Sequence, residues 1–404
     1  MQVAIAGMGA VSAFGLGVTP LWRAAREGRS GCGPIEFERE VPHQISVAAQ
    51  LHGFSAAEHF DEARCAAYDR FTSFAVLSAI EAVRYSGLEP AALRGSRTAV
   101  IVGTGIGGAA SFDDGCHQLY AERRARLNPL TIPRVMPNAA ASHISMQFGA
   151  QGPTFAVSSA CASATQAIGI AFELVRAGVV DIAITGGSET PITPAVMRGW
   201  EAMRVLAPQA CRPFSRGRNG MMLGEGAAMF VLESAPHLHA RGGHALAHVA
   251  GYGTSSDASD LLRPDPAGAA EAIRLALLSA GVSPQAVGYI NAHGTGTAIN
   301  DSSETRAIRA AFGDHAARVL VSSTKPIHGH ALGAAGALEL AVTVSALREG
   351  FVPPTINWLD ADPACDLDVV ANEGRACELE YALSNSFAFG GINACLLVRA
   401  PLCG

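Results

Sequence analysis

The sequence has no long apolar run, no cluster of basic residues and no paired cysteines, and each absence excludes a class of protein. No uninterrupted apolar run reaches roughly 18 residues, and the amino terminus starts as an apolar strand without a basic leader, so we expect neither a membrane span nor a signal peptide. Charged residues make up only 16% of the 404 positions, and the net charge is −6. Without a run of lysine or arginine, nucleic acid is not an expected partner.

The nine cysteines show no pattern that would bind a metal or build a disulfide framework. They are scattered without a CxxC pair, at positions 32, 65, 116, 161, 211, 365, 377, 395 and 403. An odd, unpatterned set in a long chain is typical of a reducing compartment. We therefore expect a cytoplasmic protein whose partners are small molecules or other proteins.

What the sequence does have is enough apolar and small residues for a large core. Hydrophobic residues make up 49% of the chain, and glycine occurs 44 times, which suits close packing of helices on sheets. Short β-branched runs predict strands at 2–7, 98–103, 181–187, 228–233, 244–253, 287–294, 319–323 and 393–400, and alanine-rich stretches predict helices, most clearly at 68–86 and 268–281. This alternation predicts an α/β fold with mixed sheets beneath helices on both faces.

The two halves of the chain follow the same order of elements. Each half runs strand, helix, strand, helix and then a closing pair of strands, and turn-forming residues at 235–243 separate the halves. The pattern predicts two similar halves, residues 1–240 and 241–404, in one compact body.

A glycine-rich stretch, VGTGIGG at 102–108, formally matches the GxGxxG pattern of dinucleotide-binding folds. The context is poor, because a weak helix start follows and no acidic residue ends a second strand about 20 residues on. An oxidoreductase that binds a dinucleotide is therefore disfavoured. We interpret Gly103, Gly105 and Gly108 as positions where the backbone comes close to something in a pocket.

One cysteine stands where a helix is expected to begin. In VSSACASATQAIG, 157–169, Cys161 precedes a stretch with apolar residues at helical spacing, and the first acidic residue of that stretch is Glu173. A thiolate at Cys161 would be stabilised by the positive helix end, so we expect its pKa to be lowered. A lone cysteine is more often an inert buried residue, and a nucleophilic role therefore requires partners.

Two later segments supply those partners. INAHGTGTAINDSSE, 290–304, places His293 at a strand end before a glycine-rich turn, and SSTKPIHGHALGAAGALEL, 322–340, places His328 and His330 after another strand. Strand ends that open into loops are where α/β proteins carry their chemistry. Together with Cys161, these two sites favour covalent catalysis by a cysteine assisted by imidazole.

Four motifs, SSACASATQAIG, NAHGTGT, KPIHGHALGAAGALE and NSFAFGGINA, together resemble the thiolase-fold 3-oxoacyl-[acyl-carrier-protein] synthases of the synthase I/II type, and the resemblance covers essentially the whole chain. It implies a five-layered α-β-α-β-α fold from two similar halves. It also implies a β-ketoacyl synthase that elongates a fatty acid or polyketide chain by decarboxylative Claisen condensation of an acyl-cysteine with malonyl-acyl carrier protein. No cofactor is then required, because the substrates arrive on the phosphopantetheine of acyl carrier protein. The stretch 188–227 is similar to the bacterial branch that serves aryl polyene pigments and nodulation factors.

The resemblance also implies roles for individual residues. Cys161 is the acyl-accepting nucleophile, and His293 and His330 are the imidazoles that donate to the enolate. Lys325 is the lysine of this catalytic group, and the backbone N–H groups of Cys161 and Phe389 form the oxyanion hole, with the Phe389 ring as a gate. The further positions are Ile106, Thr295, Thr297 and Phe387 in the substrate pocket, Glu339 as structural support paired by the lysine or through an ion, a monovalent cation near Asn291, Glu339, Ser384 and Asn385, and a docking rim for the acidic carrier at Arg204 and Arg126.

Related alternatives stay open at this point. The family associates in pairs, as a homodimer or as a heterodimer with a chain-length-factor-like subunit, and one alternative is a condensing subunit that is active only with such a non-catalytic partner. A CoA-dependent thiolase is disfavoured, because the turn FAFGGINA contains no cysteine and the next one, Cys395, lies in a strand-like run. The chain departs from the family pattern at Ala388, Ile392 and His328. We interpret His328 as structural and expect the other two to alter the pocket or the gate.

Overall fold

Sixteen strands and thirteen helices make up the part of the chain that the structure, a computed structural model, describes: residues 1–37, 39 and 41–401. The strands are β1 (Val3–Ser12), β2 (Gly15–Leu16), β3 (Gly33–Pro34), β4 (Val47–Ala48), β5 (Thr98–Gly103), β6 (Thr154–Val157), β7 (Ile182–Glu189), β8 (Gly226–Ser234), β9 (Ala247–Ser256), β10 (Val287–Asn291), β11 (Leu320–Ser322), β12 (Phe351–Val352), β13 (Asp368–Val369), β14 (Arg375–Ala376), β15 (Tyr381–Ala388) and β16 (Ile392–Arg399). The helices are α1 (Val18–Glu27), α2 (Glu62–Ala67), α3 (Arg70–Ser86), α4 (Ala109–Tyr120), α5 (Thr131–Val135), α6 (Ala139–Phe148), α7 (Ser163–Arg176), α8 (Pro194–Ala202), α9 (Ala235–Ala240), α10 (Pro266–Ala280), α11 (Ala298–Phe312), α12 (Lys325–His328) and α13 (Ala335–Glu349).

The two halves of the chain contribute strands in the same pattern. The amino-terminal half has the order β1-β8-β7-β5-β6, in which β8 is antiparallel to both of its neighbours and β5 is parallel to both of its own. The carboxy-terminal half repeats it as β9-β16-β15-β10-β11, with β16 antiparallel and β10 parallel to their neighbours. The halves join where residues 3–5 of β1 pair with residues 247–249 of β9. The fold is therefore built from two similar mixed units, as predicted.

Two helices lie between the units. α7 contacts β5 and β7 of one unit and β9 and β16 of the other, and α13 likewise contacts β7 and β8 as well as β9 and β15. Alternation along β1 assigns its two faces: Val3 and Ile5 pack in the cluster that contains α7 and α13, whereas Ala4 and Ala6 pack in the cluster that contains α3. On the other unit, α10 covers β9 and β16, with α11 packed on it. Two outer helix layers, two sheets and a middle layer make the five-layered α-β-α-β-α fold, which is confirmed.

The middle layer requires helices that are apolar or small on every side. All residues of α13 from Ala335 to Leu347 are buried, because a helix between two sheets has no solvent face. A Cβ added at Gly187 of β7 would lie 2.5 Å from the Cβ of Ala164 in α7. Small residues therefore allow the sheet and the central helix to approach closely near the first turn of α7.

Each predicted strand overlaps an observed one, with two differences in detail. β10 ends at Asn291 instead of residue 294, because the Glu304 carboxylate takes the backbone N–H groups of His293 and Gly294 away from the sheet. The segment 235–243 contains the short helix α9, with a proline in its first turn, as well as the predicted turn. The boundary between residues 240 and 241 stays a prediction, and Cys403 lies outside the described residues. Among the described helices, none combines the length and the apolar character needed to cross a membrane.

Candidate active site

The structure brings Cys161, His293 and His330 together from three separate segments. The Sγ of Cys161 and one ring nitrogen of each histidine lie within 4.8 Å of one another. Sγ is 3.1 Å from Nε2 of His330, and the two imidazole rings are 5.4 Å apart at an angle of 84°. All three side chains are buried and line one cavity of about 330 Å³. A sulfur beside an imidazole is the arrangement that a nucleophilic cysteine requires.

The backbone around Cys161 presents its thiol at the start of a helix. β6 ends at Val157, Ala160 adopts a left-handed φ of 48°, and α7 begins at Ser163. A non-glycine residue in this conformation costs of order 1–3 kcal/mol and often marks a functional site. The Ser163 hydroxyl holds the turn, because it accepts from the Ser159 N–H at 2.9 Å and donates to the Ala160 carbonyl at 2.6 Å. The first turn of α7 carries no acidic side chain, as predicted.

The prediction that the pKa of Cys161 is lowered is wrong. Burial raises the pKa of the Cys161 thiol to about 12, and Lys325, which lowers this pKa, does not reverse the effect. A rise from 9.0 to about 12 corresponds to about 4 kcal/mol, whereas a helix terminus supplies about 2 kcal/mol at most. The resting side chain is therefore a thiol, and attack on a substrate requires a base that takes its proton.

His330 lies where such a base is needed. Burial lowers the pKa values of His293 and His330 well below the ordinary range, and Lys325 lowers both further. Both rings are therefore neutral, and a neutral imidazole has one acceptor nitrogen. The His330 backbone is held in place because its N–H donates to the Met222 carbonyl at 2.7 Å and its carbonyl accepts from the Gly224 N–H at 3.0 Å. Nε2 of His330 can therefore accept the thiol proton across the 3.1 Å contact.

The second histidine is oriented by a lysine and a glutamate. Nδ1 of His293 lies 3.3 Å from Nζ of Lys325. Because an ammonium donates and cannot accept, Nδ1 is the acceptor and the ring proton resides on Nε2. The Glu304 carboxylate accepts the backbone N–H groups of His293 and Gly294, both at 2.8 Å. His293 is therefore a neutral hydrogen-bond donor with a defined tautomer.

Lys325 and Glu339 form an ion pair whose side chains have no exposed surface. Burial raises the pKa of Glu339 to about 7, and the neighbouring Lys325 ammonium keeps this pKa from rising further. Lys325 is the only lysine among the 29 basic residues of the chain, and all the others are arginine. A compact ammonium with three donors can serve the glutamate and the His293 ring together, which a planar guanidinium fits less well.

Four buried oxygen atoms, on Glu339 and on strands β10 and β15, have the chemistry that a cation needs. Asn291 Oδ1, Ser384 Oγ, Asn385 Oδ1 and the second carboxylate oxygen of Glu339 are all buried without a hydrogen-bond partner. Asn291 and Ser384 are partners in the β10–β15 register, and the Asn291 amide donates to the Glu339 carbonyl at 3.2 Å. Buried oxygens without donors are the ligands that a hard cation prefers. The residues expected near a monovalent cation therefore fit one.

Most of the predicted pocket residues line the cavity that contains Cys161. Its wall includes the predicted residues Thr295, Thr297, Phe387, Phe389 and Arg204. Ile106 is not part of that wall and is 39% exposed on the loop after β5, and its place in the acyl pocket stays a prediction. Arg126 is exposed between α4 and α5, outside the cavity, so its role in docking also stays a prediction.

The glycine-rich loop after β5 packs against protein and not against a pocket, so the sequence-based interpretation of these glycines is wrong. A Cβ at Gly103 would lie 2.3 Å from the backbone nitrogen of Ala164, and one at Gly108 would lie 2.2 Å from the Arg134 carbonyl oxygen. The buried Glu189 carboxylate holds the loop, because it accepts the Gly105 N–H and further donors on either side. Gly103 therefore lets the loop pass the first turn of the cysteine helix, and Gly108 lets it pass the end of α5.

Several residues of the site lie outside the motifs. Glu304 lies about two helix turns after the NAHGTGT motif, in the polar stretch DSSETR of α11, so no apolar periodicity marks it. Trp200 and Arg263 line the cavity, but neither carries a pattern in the sequence. Both ring nitrogens of His328 are engaged, Nε2 with the Thr324 hydroxyl at 2.9 Å and Nδ1 with the Gly329 carbonyl at 2.8 Å. This geometry agrees with a structural role for His328.

Comparison with known proteins finds matches along the chain. A family model described as the beta-ketoacyl synthase N-terminal domain matches residues 1–237, and one described as its C-terminal domain matches residues 246–359. Nodulation protein E of Rhizobium sp. (strain N33) is 44% identical over 408 residues, which cover 98% of this chain and 99% of the relative. The 3-oxoacyl-[acyl-carrier-protein] synthase 2 of Staphylococcus aureus (strain MRSA252) is 39% identical over 406 residues, which cover 99% and 98%. Among solved structures, the ishigamide ketosynthase/chain length factor matches with a TM-score of 0.94 and 33% identity over 99% of each chain.

Proposed function

The chain belongs to the beta-ketoacyl synthase family, and from this membership we propose how its own residues perform the reaction. It is an acyltransferase of the 3-oxoacyl-[acyl-carrier-protein] synthase type, which joins an acyl group on cysteine to a malonyl unit with loss of CO2. The observation that carries the proposal is the 3.1 Å contact between Cys161 and His330 in a cavity shared with His293. The steps below follow from the protonation states of these three side chains.

Acylation begins with proton transfer from Cys161 to Nε2 of His330. The thiolate attacks the thioester carbonyl, and backbone N–H groups of Cys161 and Phe389 stabilise the oxyanion, since both residues line the cavity. A donor of this kind contributes about 3 kcal/mol in other enzymes. The tetrahedral intermediate collapses to the acyl-cysteine, and protonated His330 returns its proton to the departing pantetheine thiolate. His330 therefore shuttles one proton and is neutral again when the second substrate arrives.

Condensation uses the hydrogen-bond donor on His293. The family resemblance implies that His330 donates as well, but we assign it only the proton relay, because its Nε2 faces Cys161 as an acceptor. Loss of CO2 from the malonyl thioester leaves an enolate, and the Nε2–H of His293 stabilises the charge on its oxygen. A neutral imidazole suits this step because it donates a hydrogen bond without adding negative charge. A carboxylate in its place would repel the enolate. The enolate carbon attacks the acyl-cysteine and the C–S bond breaks. The departing Cys161 thiolate takes up one proton from solvent, which His330 relays, and this is the proton that the overall reaction consumes. The products are a 3-oxoacyl thioester, CO2 and the free enzyme.

Lys325 and Glu339 orient the His293 side chain. Lys325 holds the tautomer of His293, and Glu339 balances its charge. A monovalent cation bound by Asn291, Ser384, Asn385 and Glu339 would offset the negative charge of the carboxylate and keep these buried oxygens coordinated. These residues are proposed as positioning groups that do not touch the reacting atoms.

The substrates reach the cavity on a carrier protein. We propose that acyl carrier protein delivers both acyl groups on phosphopantetheine, with no further cofactor. Arg204 lies at the cavity wall and is exposed, which favours an acidic partner. We propose the exposed Arg126, outside the cavity, as a second docking contact. A thiol that must stay reduced to accept acyl groups suits the cytoplasm.

The acyl-enzyme provides the direct test of this function. Incubation with an acyl-carrier thioester should add the acyl mass to one peptide, the one that contains Cys161. Cys161→Ser should give no adduct and no condensation, whereas Cys211→Ser, a matched change at another buried cysteine, should leave the adduct intact. Acyl mass on a different cysteine would contradict the assignment.

A second candidate is a condensing subunit that requires a non-catalytic partner. The similarity to a ketosynthase/chain length factor structure favours it, and the exposed apolar residues of the amino-terminal unit, which include Phe112, Ile132, Met146 and Phe155, are suited to a subunit interface, whether a homodimer or a heterodimer. The purified chain alone, given acyl and malonyl carriers, separates the candidates. Condensation by the chain alone supports the first, and activity only after addition of a partner subunit supports the second.

A further inference from the structure

The gating phenylalanine rests on a tryptophan that no motif identifies. The rings of Trp200 and Phe389 are stacked, with centroids 5.9 Å apart and planes inclined by 23°. Both rings are half-buried and line the cavity that contains Cys161. We propose that Trp200 is a positioning residue that latches the Phe389 ring in its closed place, so that the Trp200–Phe389 stack sets how readily the cavity opens. The inference rests on the proposed function and on the role as a gate that the family resemblance implies for Phe389.

The segment that carries Phe389 is a short turn whose contacts leave the Phe389 ring free of backbone restraint. Three residues connect β15, which ends at Ala388, to β16, which begins at Ile392. Gly390 and Gly391 both have positive φ values, 87° and 67°, a conformation that costs glycine little. The turn is held through its glycine backbone, because the Gly390 N–H donates to the Leu261 carbonyl at 2.8 Å. This bond does not restrain the Phe389 ring, whose place depends on what it packs against.

Trp200, in contrast, belongs to an anchored helix. The Thr193 hydroxyl accepts from the Val196 N–H and caps the start of α8. At the other end, the Glu201 carboxylate accepts the backbone N–H groups of Gln44 and Ile45, both at 2.8 Å, and its side chain is only 5% exposed. The helix is therefore tied at both ends, and Trp200 is the fixed partner of the stacked pair.

A stacked pair of this kind is strong enough to bias a gate and weak enough to release. In addition to the surface that it buries, an aromatic pair contributes a free energy that corresponds to roughly a 2- to 12-fold change in an equilibrium constant. Loss of the Trp200 ring should therefore increase the open population of the gate by that factor. Loss of the Phe389 ring should have a similar effect, and loss of both should add little, because the two rings act through one contact.

Alkylation of Cys161 by iodoacetamide measures gate opening without any substrate. In Trp200→Leu, the rate of Cys161 alkylation, followed by peptide mass, should rise about 2- to 12-fold, and Trp200→Phe should restore a rate near that of the native chain. Trp358→Leu, which removes a half-buried tryptophan outside this cavity, is the matched control and should leave the rate unchanged. Phe389→Leu and the double variant Trp200→Leu/Phe389→Leu should both match Trp200→Leu. Rates that multiply in the double variant would mean that Trp200 only fills space, and an unchanged rate in Trp200→Leu would also overturn the proposal.

Fluorescence gives a second measurement that does not depend on a leucine variant. The chain has three tryptophans, so Trp22→Phe/Trp358→Phe leaves Trp200 as the only indole. Loading Cys161 with an acyl group should change its emission, because Phe389 leaves the stack, and unchanged emission on a fully acylated sample would overturn the latch. Failure of the native chain to accept an acyl group would instead overturn the proposed function, and the alkylation series would still report on the latch.

Discussion

Replacement of Lys325 by methionine tests the ion pair at the centre of the site. The change keeps an apolar stem of similar length and removes the only charge that balances the Glu339 carboxylate, in a place where neither side chain has exposed surface. It also removes the ammonium that faces Nδ1 of His293 at 3.3 Å. One substitution should therefore affect both stability and one of the two chemical steps.

The expected loss of stability is large and depends on pH. Removing one partner of a buried ion pair costs about 3–5 kcal/mol, a substantial part of the roughly 5–15 kcal/mol that keeps a protein folded. Burial already raises the pKa of Glu339 to about 7, and without Lys325 it rises further. A carboxyl whose folded pKa exceeds its unfolded value, about 4.3, destabilises the folded state as pH rises from that value to the folded pKa. The deficit of Lys325→Met should be small near pH 5 and largest near pH 8.

Urea unfolding of the native chain and Lys325→Met between pH 5 and pH 8 measures this deficit. The matched control is Lys325→Met/Glu339→Leu, which removes both charges and should recover most of the lost stability, because no unpaired carboxylate remains. A deficit that does not change with pH, or a double variant as unstable as the single one, would refute the reasoning. In the folded Lys325→Met protein, Cys161 acylation should persist while malonyl decarboxylation falls about 10²- to 10⁴-fold, because the His293 tautomer is no longer held.

Three further predictions follow from the same geometry. His330→Ala should slow both Cys161 acylation and condensation, whereas His293→Ala should slow mainly malonyl decarboxylation. Separate assays of the acyl adduct and of CO2 release distinguish the two effects. Equal losses of both steps in the two variants would contradict the division of roles. Glu304→Gln leaves one of two backbone N–H groups without an acceptor, which costs about 1–3 kcal/mol, and should lower decarboxylation more than Cys161 acylation, as read from the same two assays. Arg204→Glu should raise the KM for the acyl carrier several-fold, with an effect that weakens at high salt, while an unchanged KM would remove Arg204 from the docking surface.

Contiguous patterns account for what could be predicted. The strands from 98–103 to 393–400 were found because β-branched runs and turn residues are local signals, and the helix after Cys161 because its apolar residues repeat at 3.6-residue spacing. The motifs around Cys161, His293 and His330 placed the nucleophile and both imidazoles in the correct segments. In contrast, Trp200 acts on Phe389 from a distant segment. Glu304 acts on the nearby His293 backbone from a polar stretch of α11, so no short pattern marks either residue.

The sequence by itself determined the family, the repeated α/β halves and which residue types carry the chemistry, because these depend on local composition and on spacing along the chain. The motif KPIHGHALGAAGALE also indicated Lys325, through the family resemblance. Only the tertiary structure decided the protonation states, because they depend on burial and on neighbours from distant segments. Burial makes Cys161 a thiol and both histidines neutral, and the Lys325 contact sets the tautomer of His293. Which side chains share a low-dielectric cavity is a property of the packed layers, and no single segment carries that information.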